Sequence, residues 1–472
     1  MKPVLCSEQI KKLETQWAEQ HSGSTWSLMQ QAAESFVALY ASHWSNKNVT
    51  VVVGTGNNGG DGYYVAWLLQ QQGAEVSVFA PFGMPDHTID AQRAYELYCQ
   101  TSAPILDQWP ERTDIVIDAL FGIGLNRALN DDAINLIEQI NKANVEVFSI
   151  DLPSGLNAQT GVPMPVAIKA DYTLSMIAYK PGLLTAYGPA YCGQLELATL
   201  GIESHSDSIF NDEWPQLIDK SGNSHKSLFG SVSVLGGNHK MAGAAVLAGH
   251  AALKAGAGRV MVHCDAHFQQ VAISQAPELM VKVLGKSPLM VGENHALVVG
   301  PGLGRSVFSS GVLQEAILSA PQYGGVVDAD GLRILANQMQ KMTGWVLTPH
   351  AGEAAALLGI TSQQVQADRV SAVKQIALKY QSVVVLKGAG TLVSNGTEVI
   401  FCHQGHGAMA TPGMGDVLAG MVGAFLAQGR APMDAAVSAV NWHAKLGCLI
   451  AKTQHSVFAS DIIKLLALQP SD

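Results

Sequence analysis

Two aspartates stand where backbone and side chain together could move a proton. Asp416 closes Pro412-Gly413-Met414-Gly415-Asp416, directly ahead of an apolar run with the length of a helix. Glycine-flanked amides at a helix amino end form an anion hole, and an acid in the first turn can take the proton of an attacking hydroxyl. The plainer reading of Asp416 is a helix-start acid favoured by the macrodipole. Asp151 follows the apolar run 145–150 and opens Asp151-Leu152-Pro153-Ser154-Gly155-Leu156. It is a candidate general base for a second site, and its plainer reading is a loop-bracing carboxylate.

Other clusters could shape ligand sites around these acids. The run Gly54-Thr55-Gly56-Asn57-Asn58-Gly59-Gly60-Asp61-Gly62, a loop expected ahead of an apolar helix, formally matches a dinucleotide fingerprint, in which glycines let backbone approach a pyrophosphate. The next strand ends Val78-Phe79-Ala80-Pro81, without the acid that would hold a ribose hydroxyl, so hydride transfer is disfavoured. Asp118-Ala119-Leu120-Phe121-Gly122-Ile123-Gly124-Leu125-Asn126-Arg127-Ala128 is a further strand-end cluster. In the second half come Gly300-Pro301-Gly302-Leu303-Gly304, Asp328-Ala329-Asp330, and Thr348-Pro349-His350-Ala351-Gly352-Glu353. Lys387-Gly388-Ala389-Gly390-Thr391 could bring an ammonium and amides to phosphates, but it is not a Walker A loop.

The elements that must hold these clusters are legible by period. Ile10, Leu13 and Trp17, then Leu28, Ala32 and Phe36, recur at helical spacing. Strands are expected at 49–53, 76–79, 114–117, 145–150 and 172–176, with helix-like stretches between several of them. A doubly wound sheet follows, with function at the carboxyl ends of its strands. A polar stretch at 201–227 marks the boundary, giving domains at 1–212 and 222–472. A second series is expected at 231–235, 260–263, 296–299, 326–327, 346–347 and 383–386. Residues 391–401 read as a hairpin, with Asn395-Gly396 as a type I′ turn. Helices are expected over 243–256, 415–428 and 432–451.

Composition narrows the class. The 472 residues are 48% apolar and 14% charged, with 47 glycines, enough for sizeable cores and unlike a disordered or collagen-like chain. A formal charge of −10 without a long basic run argues against a nucleic-acid partner. Six scattered cysteines without a C-x-x-C pair suit reduced thiols in a cytoplasmic protein. The opening residues turn charged before a secretory signal could form, and no apolar stretch suits a membrane span.

In order and spacing, N-N-G-G-D-G, D-A-L-F-G-x-G-L and D-x-P-S-G-L resemble the NAD(P)H-hydrate epimerase family. The second half, through its G-x-G-D, resembles the ribokinase-like ADP- or ATP-dependent NAD(P)H-hydrate dehydratases. The expected fold is therefore a Rossmann-like domain followed by a ribokinase-like α/β domain. The resemblance implies that hydrated nicotinamide nucleotide binds at Asn57, Asn58, Gly59, Gly60 and Asp61. It also implies contacts from Gly122, Ile123, Gly124, Leu125, Asn126, Arg127, Ala128 and Asp151. A potassium ion would sit on Asn58, Asp118 and Ser154, whose oxygens suit a hard cation. In the dehydratase half, Ala244, Gly302, His350 and Asp416 would meet the hydrated nucleotide. Lys387, Gly388, Ala389, Gly390, Thr391 and Gly415 would meet ADP, with ATP as the other donor, and Mg²⁺ would bridge the donor phosphates. A homo-oligomer is implied as well.

Three positions depart from the family pattern: Ser227 after His225-Lys226, Ala351 in the T-P-H-P-G-E motif, and His406 within Gly405–Ala410. The expected chemistry is phosphorylation of the ring hydroxyl at Asp416 followed by elimination of phosphate. Asp151 would interconvert the two hydrate epimers. One rival reading is a vitamin-precursor kinase, which shares the G-x-G-D. Another makes the first half a non-catalytic nucleotide-binding or oligomerisation scaffold.

Overall fold

The computed structural model describes residues 2–466 except 22, 86, 87, 126, 220, 221, 240, 287, 288, 290, 321–323 and 339. The chain packs as two units, Lys2–Ser208 and the residues from Ile209 onward. Asn211 and Trp214 belong to the second unit. The Asn211 side chain accepts from Asn441 at 2.9 Å, and Lys445 lies over the Trp214 ring.

In the first unit, β-branched runs form a parallel sheet because both faces are covered. Its strands are β1 (Asn48–Val53), β2 (Glu75–Phe79), β3 (Ile105–Leu106), β4 (Ile115–Ala119), β5 (Glu146–Ile150), β6 (Tyr172–Met176) and β7 (Gln194–Ala198), in the order β3-β2-β1-β4-β5-β6-β7. The order reverses beside β1, so the ends of β1 and β4 open a crevice there. Two amino-terminal helices, α1 (Ser7–Gln20) and α2 (Trp26–Leu39), follow the expected period, and Ile10, Leu28 and Phe36 are buried in the core.

The glycine-rich segment differs from its expected form. Helix α3 (Asn57–Gln71) already begins at Asn57, so Asn57 to Asp61 form its first turns rather than a preceding loop. The glycines explain this. A Cβ on Gly59 would stand 1.9 Å from the Gly54 carbonyl oxygen, and one on Gly60 would stand 2.8 Å from the Ala91 backbone. Their absence lets α3 start hard against β1 and its neighbour, α4 (Ile89–Cys99).

The second unit contains β8 (Ser231–Leu235), β9 (Arg259–Cys264), β10 (Met280–Val283), β11 (His295–Val299), β12 (Gly325–Val327), β13 (Val346–Leu347), β14 (Val383–Leu386), β15 (Thr391–Ser394) and β16 (Val399–Cys402). Within its sheet they run in the order β16-β15-β14-β13-β12-β11-β8-β9-β10. All of these pairings are parallel except the β14–β15–β16 meander.

The hairpin is present, but its turn is not type I′. Ser394 pairs with Val399, leaving a four-residue connection in which Gly396 has positive φ and Asn395 does not. Asn395 Oδ1 accepts from the Thr397 and Glu398 amides, so the Asn side chain closes the bend instead of a left-handed backbone.

Three helices complete the frame: α5 (Ala242–Lys254), α6 (Met414–Ala427) and α7 (Pro432–Ala451). Helix α6 is apolar on nearly every side, as a helix enclosed by others must be. Its Gly420 meets the Ala248 carbonyl so closely that a Cβ would lie 2.0 Å away. This contact fixes α6, and hence its amino end, against α5. Among the described residues no helix is long and apolar enough to cross a membrane.

Candidate active sites

In the first unit the ends of β1, β4 and β5 bound a cleft of about 920 Å³, near the top of the range for small-molecule sites. Asn57, Asn58, Asp61, Gly122, Ile123, Gly124, Leu125, Arg127, Ala128 and Asp151 all line it. Gly59 and Gly60 do not; they are buried in the first turns of α3, where their close contacts with Gly54 and Ala91 set its position. Asn126 lies outside the described residues.

Asp151 adopts φ +67°, a left-handed conformation that is costly for a non-glycine residue and frequent at functional sites. The surroundings impose it. Its amide donates to Leu174 O at 2.8 Å, and its Oδ1 accepts from the Met176 amide at 2.9 Å. Lys180 Nζ donates to the same oxygen. Lys180 is fully buried and also donates to Ser175 Oγ and Met176 O, at 3.1 and 2.9 Å.

Glu14 and Asp61 share a small pocket with Asp151 and Lys180. Burial first, and then the Asp151 charge, pushes both of their carboxyls upward, Asp61 well above the usual range. The pocket thus holds an acid braced by an ammonium beside two acids whose pKa values are raised.

Asp118 lies within β4 and is completely buried. It accepts from Ser154 Oγ at 2.5 Å, Ser154 N at 2.8 Å and Ser149 Oγ at 2.8 Å. Burial raises its pKa, and these donors partly offset the rise. Ser154 Oγ also links to the Phe121 amide at 2.8 Å, tying the β4 and β5 loops together. Asn58 is buried, and its amide nitrogen has no hydrogen-bond partner among the described residues. A side-chain amide turned by half presents its oxygen at that same position. Carboxylate, hydroxyl and amide oxygens are donors that suit a hard cation.

In the second unit Asp416 sits half-buried in the first turn of α6, behind Gly413 at φ +89°. Burial, then the Asp328 carboxylate, raises its pKa to about 7, and Lys387 pulls the other way. Lys387 does not stand out over its loop. Its Nζ donates to Asp328 Oδ1 at 2.7 Å, lies 3.9 Å from Glu353 Oε2, and passes beneath Gly415, where a Cβ would be 3.1 Å away. Burial disfavours the ammonium, yet Asp328 and Glu353 together outweigh that and hold its pKa above the ordinary value.

His350 caps the helix Ala351–Leu358. Its Nδ1 accepts from the Gly352 and Glu353 amides, and Glu353 Oε2 in turn accepts from the His350 amide at 2.9 Å. Its Nε2 lies 3.3 Å from Glu353 Oε1, and burial lowers its pKa. Gly302, at φ +61°, is pressed against Met241, whose carbonyl would meet a Cβ at 2.4 Å. Ala244 follows, half-buried in the first turn of α5.

The loop from Lys387 to Thr391 is organised from below. Arg369 is 1% exposed, and its Nη2 donates to the carbonyls of Leu386, Lys387 and Gly390 at 3.1, 3.3 and 3.5 Å. Gly388 adopts φ +135° above the guanidinium.

The sequence reading assigned no role to Lys180, Glu14 or Arg369, and it named Asp328 and Glu353 only as members of strand-end clusters. Lys180 had a usable signal, four residues beyond the end of β6 on the same sheet edge. Arg369 had none, because it reaches the loop from inside a helix.

A parallel doubly wound domain with three acid-bearing strand ends, joined to an α/β domain with an acid under a glycine-capped helix, defines a two-site enzyme class. Family models match both parts: NAD(P)H-hydrate dehydratase over residues 232–467 and YjeF-related protein N-terminus over residues 25–182. A bifunctional NAD(P)H-hydrate repair enzyme of Coxiella burnetii is 37% identical over 458 residues, covering 93% of this chain and 92% of its own length. Its Escherichia coli counterpart is 34% identical over 481 residues, covering 98% and 93%. A ribokinase-like superfamily protein of Enterococcus faecalis has the fold of the second unit, with a TM-score of 0.50 at 24% identity, covering 56% of this chain and 96% of that one. The chain belongs to the bifunctional NAD(P)H-hydrate repair enzymes.

Proposed function

We propose that the two sites act in succession on hydrated NADH and NADPH: the first interconverts the R and S forms, and the second returns the S form to the dihydronicotinamide using ADP. ATP is the other donor the nucleotide loop could take. Asp416, poised near neutrality among glycyl amides, is the observation that carries the reading.

The ring hydroxide of a hydrate is a poor leaving group. Asp416 removes the hydroxyl proton, and the freed oxygen attacks the terminal phosphorus of ADP, releasing AMP. The phosphate ester then leaves as inorganic phosphate, and loss of a ring proton restores the double bond. The Gly413–Gly415 amides and the positive end of α6 stabilise the charge on the moving phosphoryl group. Gly302, Ala244 and His350 would border the hydrated ring, and Lys387 to Thr391 with Gly415 the nucleotide. Bound with the nucleotide held by Lys387 to Thr391 and Gly415, Mg²⁺ would supply charge neutralisation for the donor.

In the first site Asp151, kept available by Lys180 and the Met176 amide, is the base at the hydrated carbon. Asp61 and Glu14, whose carboxyls burial pushes upward, are placed to supply the opposite partner, a division of labour between neighbouring carboxyls. Asn58, Asp118 and Ser154 would hold potassium, whose contribution is electrostatic support for the nucleotide beside the Gly122 loop. A cytoplasmic, homo-oligomeric enzyme is the accompanying expectation, read by fractionation and light scattering.

Asp416→Asn provides the test. Nucleotide binding should persist while NADH formation from its hydrate falls by about 10²–10⁴-fold, the usual size of a general-base contribution. Turnover near wild type would remove Asp416 from this role. A vitamin-precursor kinase would instead release a stable phosphorylated alcohol.

A further inference from the structure

We propose that His239, Asp265 and His267 form a binding site for a divalent transition-metal ion of the zinc or nickel type. None of the three takes part in the chemistry described above. Strands β8 and β9 are parallel neighbours, with Leu235 opposite His263, so the loops that follow them leave the sheet at the same edge. His239 lies on the first loop; Asp265 and His267 lie on the second.

The two loops are tied to each other and to the sheet. The Asp265 amide donates to Gly237 O at 3.0 Å, and the Asn238 amide donates to Gly302 O at 2.7 Å. Met241 N in turn donates to Asn238 O at 3.0 Å. Asn238 and Met241, near His239 in the first loop, are thus held by backbone hydrogen bonds before any ion arrives.

The second loop is also set. Asp265 Oδ1 accepts from the His267 amide at 2.9 Å and lies 2.8 Å from His267 Nδ1. The His239 and His267 rings stand 5.9 Å apart, edge to face. One donor atom from each of the three residues lies within 4.8 Å of the others. Ligand atoms around a tetrahedral zinc stand about 3.3 Å apart, given bonds of about 2.0–2.1 Å. His239 and His267 are both exposed, so rotation of their side chains, with the His267 Nδ1–Asp265 contact exchanged for the ion, would close the difference.

The donor set selects the ion. Two imidazole nitrogens and one carboxylate oxygen leave a position for water and suit zinc, nickel or cobalt, whereas magnesium and calcium prefer all-oxygen surroundings. Such an ion would cross-link the two loops near the Met241–Gly302 contact.

The experiment is calorimetric titration of the full chain, stripped with EDTA, with zinc chloride and separately with nickel chloride. His239→Ala and His267→Ala are run in parallel. His267→Ala retains the backbone amide that Asp265 caps, so the loop should keep its fold, and a melting curve for each variant checks this. One equivalent should bind wild type in the micromolar range and raise its melting transition. Each variant should bind at least about tenfold more weakly. Absence of a one-equivalent micromolar event, or affinity unchanged in either variant, overturns the site.

Discussion

The pH dependence of dehydration is the sharpest consequence of the Asp416 environment. The base must be ionised to accept the hydroxyl proton, and its pKa lies at about 7. At pH 5 about 1% of molecules would carry the ionised base, at pH 6 about 9%, and at pH 8 about 91%. Hence kcat/KM for hydrated NADH should fall about 90-fold between pH 8 and pH 5. A carboxylate near its ordinary value of 3.8 would lose almost nothing over that span.

The neighbours fix the sign of two further shifts. Glu353 raises the Asp416 pKa, so Glu353→Gln should move the midpoint down; Gln at this helix position can still complete the cap with His350. Lys387 lowers it, so Lys387→Met should move the midpoint up. The assay is the initial rate of NADH absorbance at limiting hydrate across pH 5–9, with nucleotide saturating and the melting transition of each variant recorded. A midpoint near 4, or shifts of the opposite sign in correctly folded variants, would refute the electrostatic account of the site.

Other expectations follow from particular contacts. Asp151→Ala and Lys180→Met should each leave one hydrate epimer consumed at the wild-type rate and slow the other by about 10²-fold or more, followed by chromatography of both epimers. Equal disappearance of both, with spontaneous interconversion subtracted, would count against the first site. Replacing potassium by lithium should depress epimerisation while leaving dehydration of the S form unchanged; equal effects on both would argue against Asn58, Asp118 and Ser154 as ligands. Arg369→Gln should cost at least about 2 kcal/mol of stability in urea, because buried carbonyls lose their donor. It should also raise KM for ADP more than it lowers kcat, and a variant with unchanged KM would show that the loop does not depend on the guanidinium.

Much of this was readable in the chain because the informative signals are local. Asp151 announces itself by following a strand-like run and Asp416 by opening a helix-like one, and the β-branched runs at 49–53 and 383–386 form strands as read. What escaped depends on pairs distant in sequence. Lys180 meets Asp151 across 29 positions, and Lys387 meets Asp328 across 59, so the pairings themselves could not be inferred from spacing, although the place of Lys180 just beyond β6 marks its sheet edge. The early start of α3 escaped for a different reason. Glycines at 59, 60 and 62 discourage a helix by propensity, whereas in the fold they are what permits the helix to approach β1. The Asn395-Gly396 turn failed because a side-chain amide can close a bend that the dipeptide alone would assign to left-handed backbone.

The most direct measurement supplies the full chain with a mixture of both epimers of hydrated NADH, ADP, Mg²⁺ and K⁺, and counts products. Complete conversion should yield one AMP and one inorganic phosphate per NADH, and Asp416→Asn should abolish all three together. NADH formed without nucleotide cleavage, or accumulation of a stable phosphorylated alcohol, would contradict phosphorylation and elimination at Asp416.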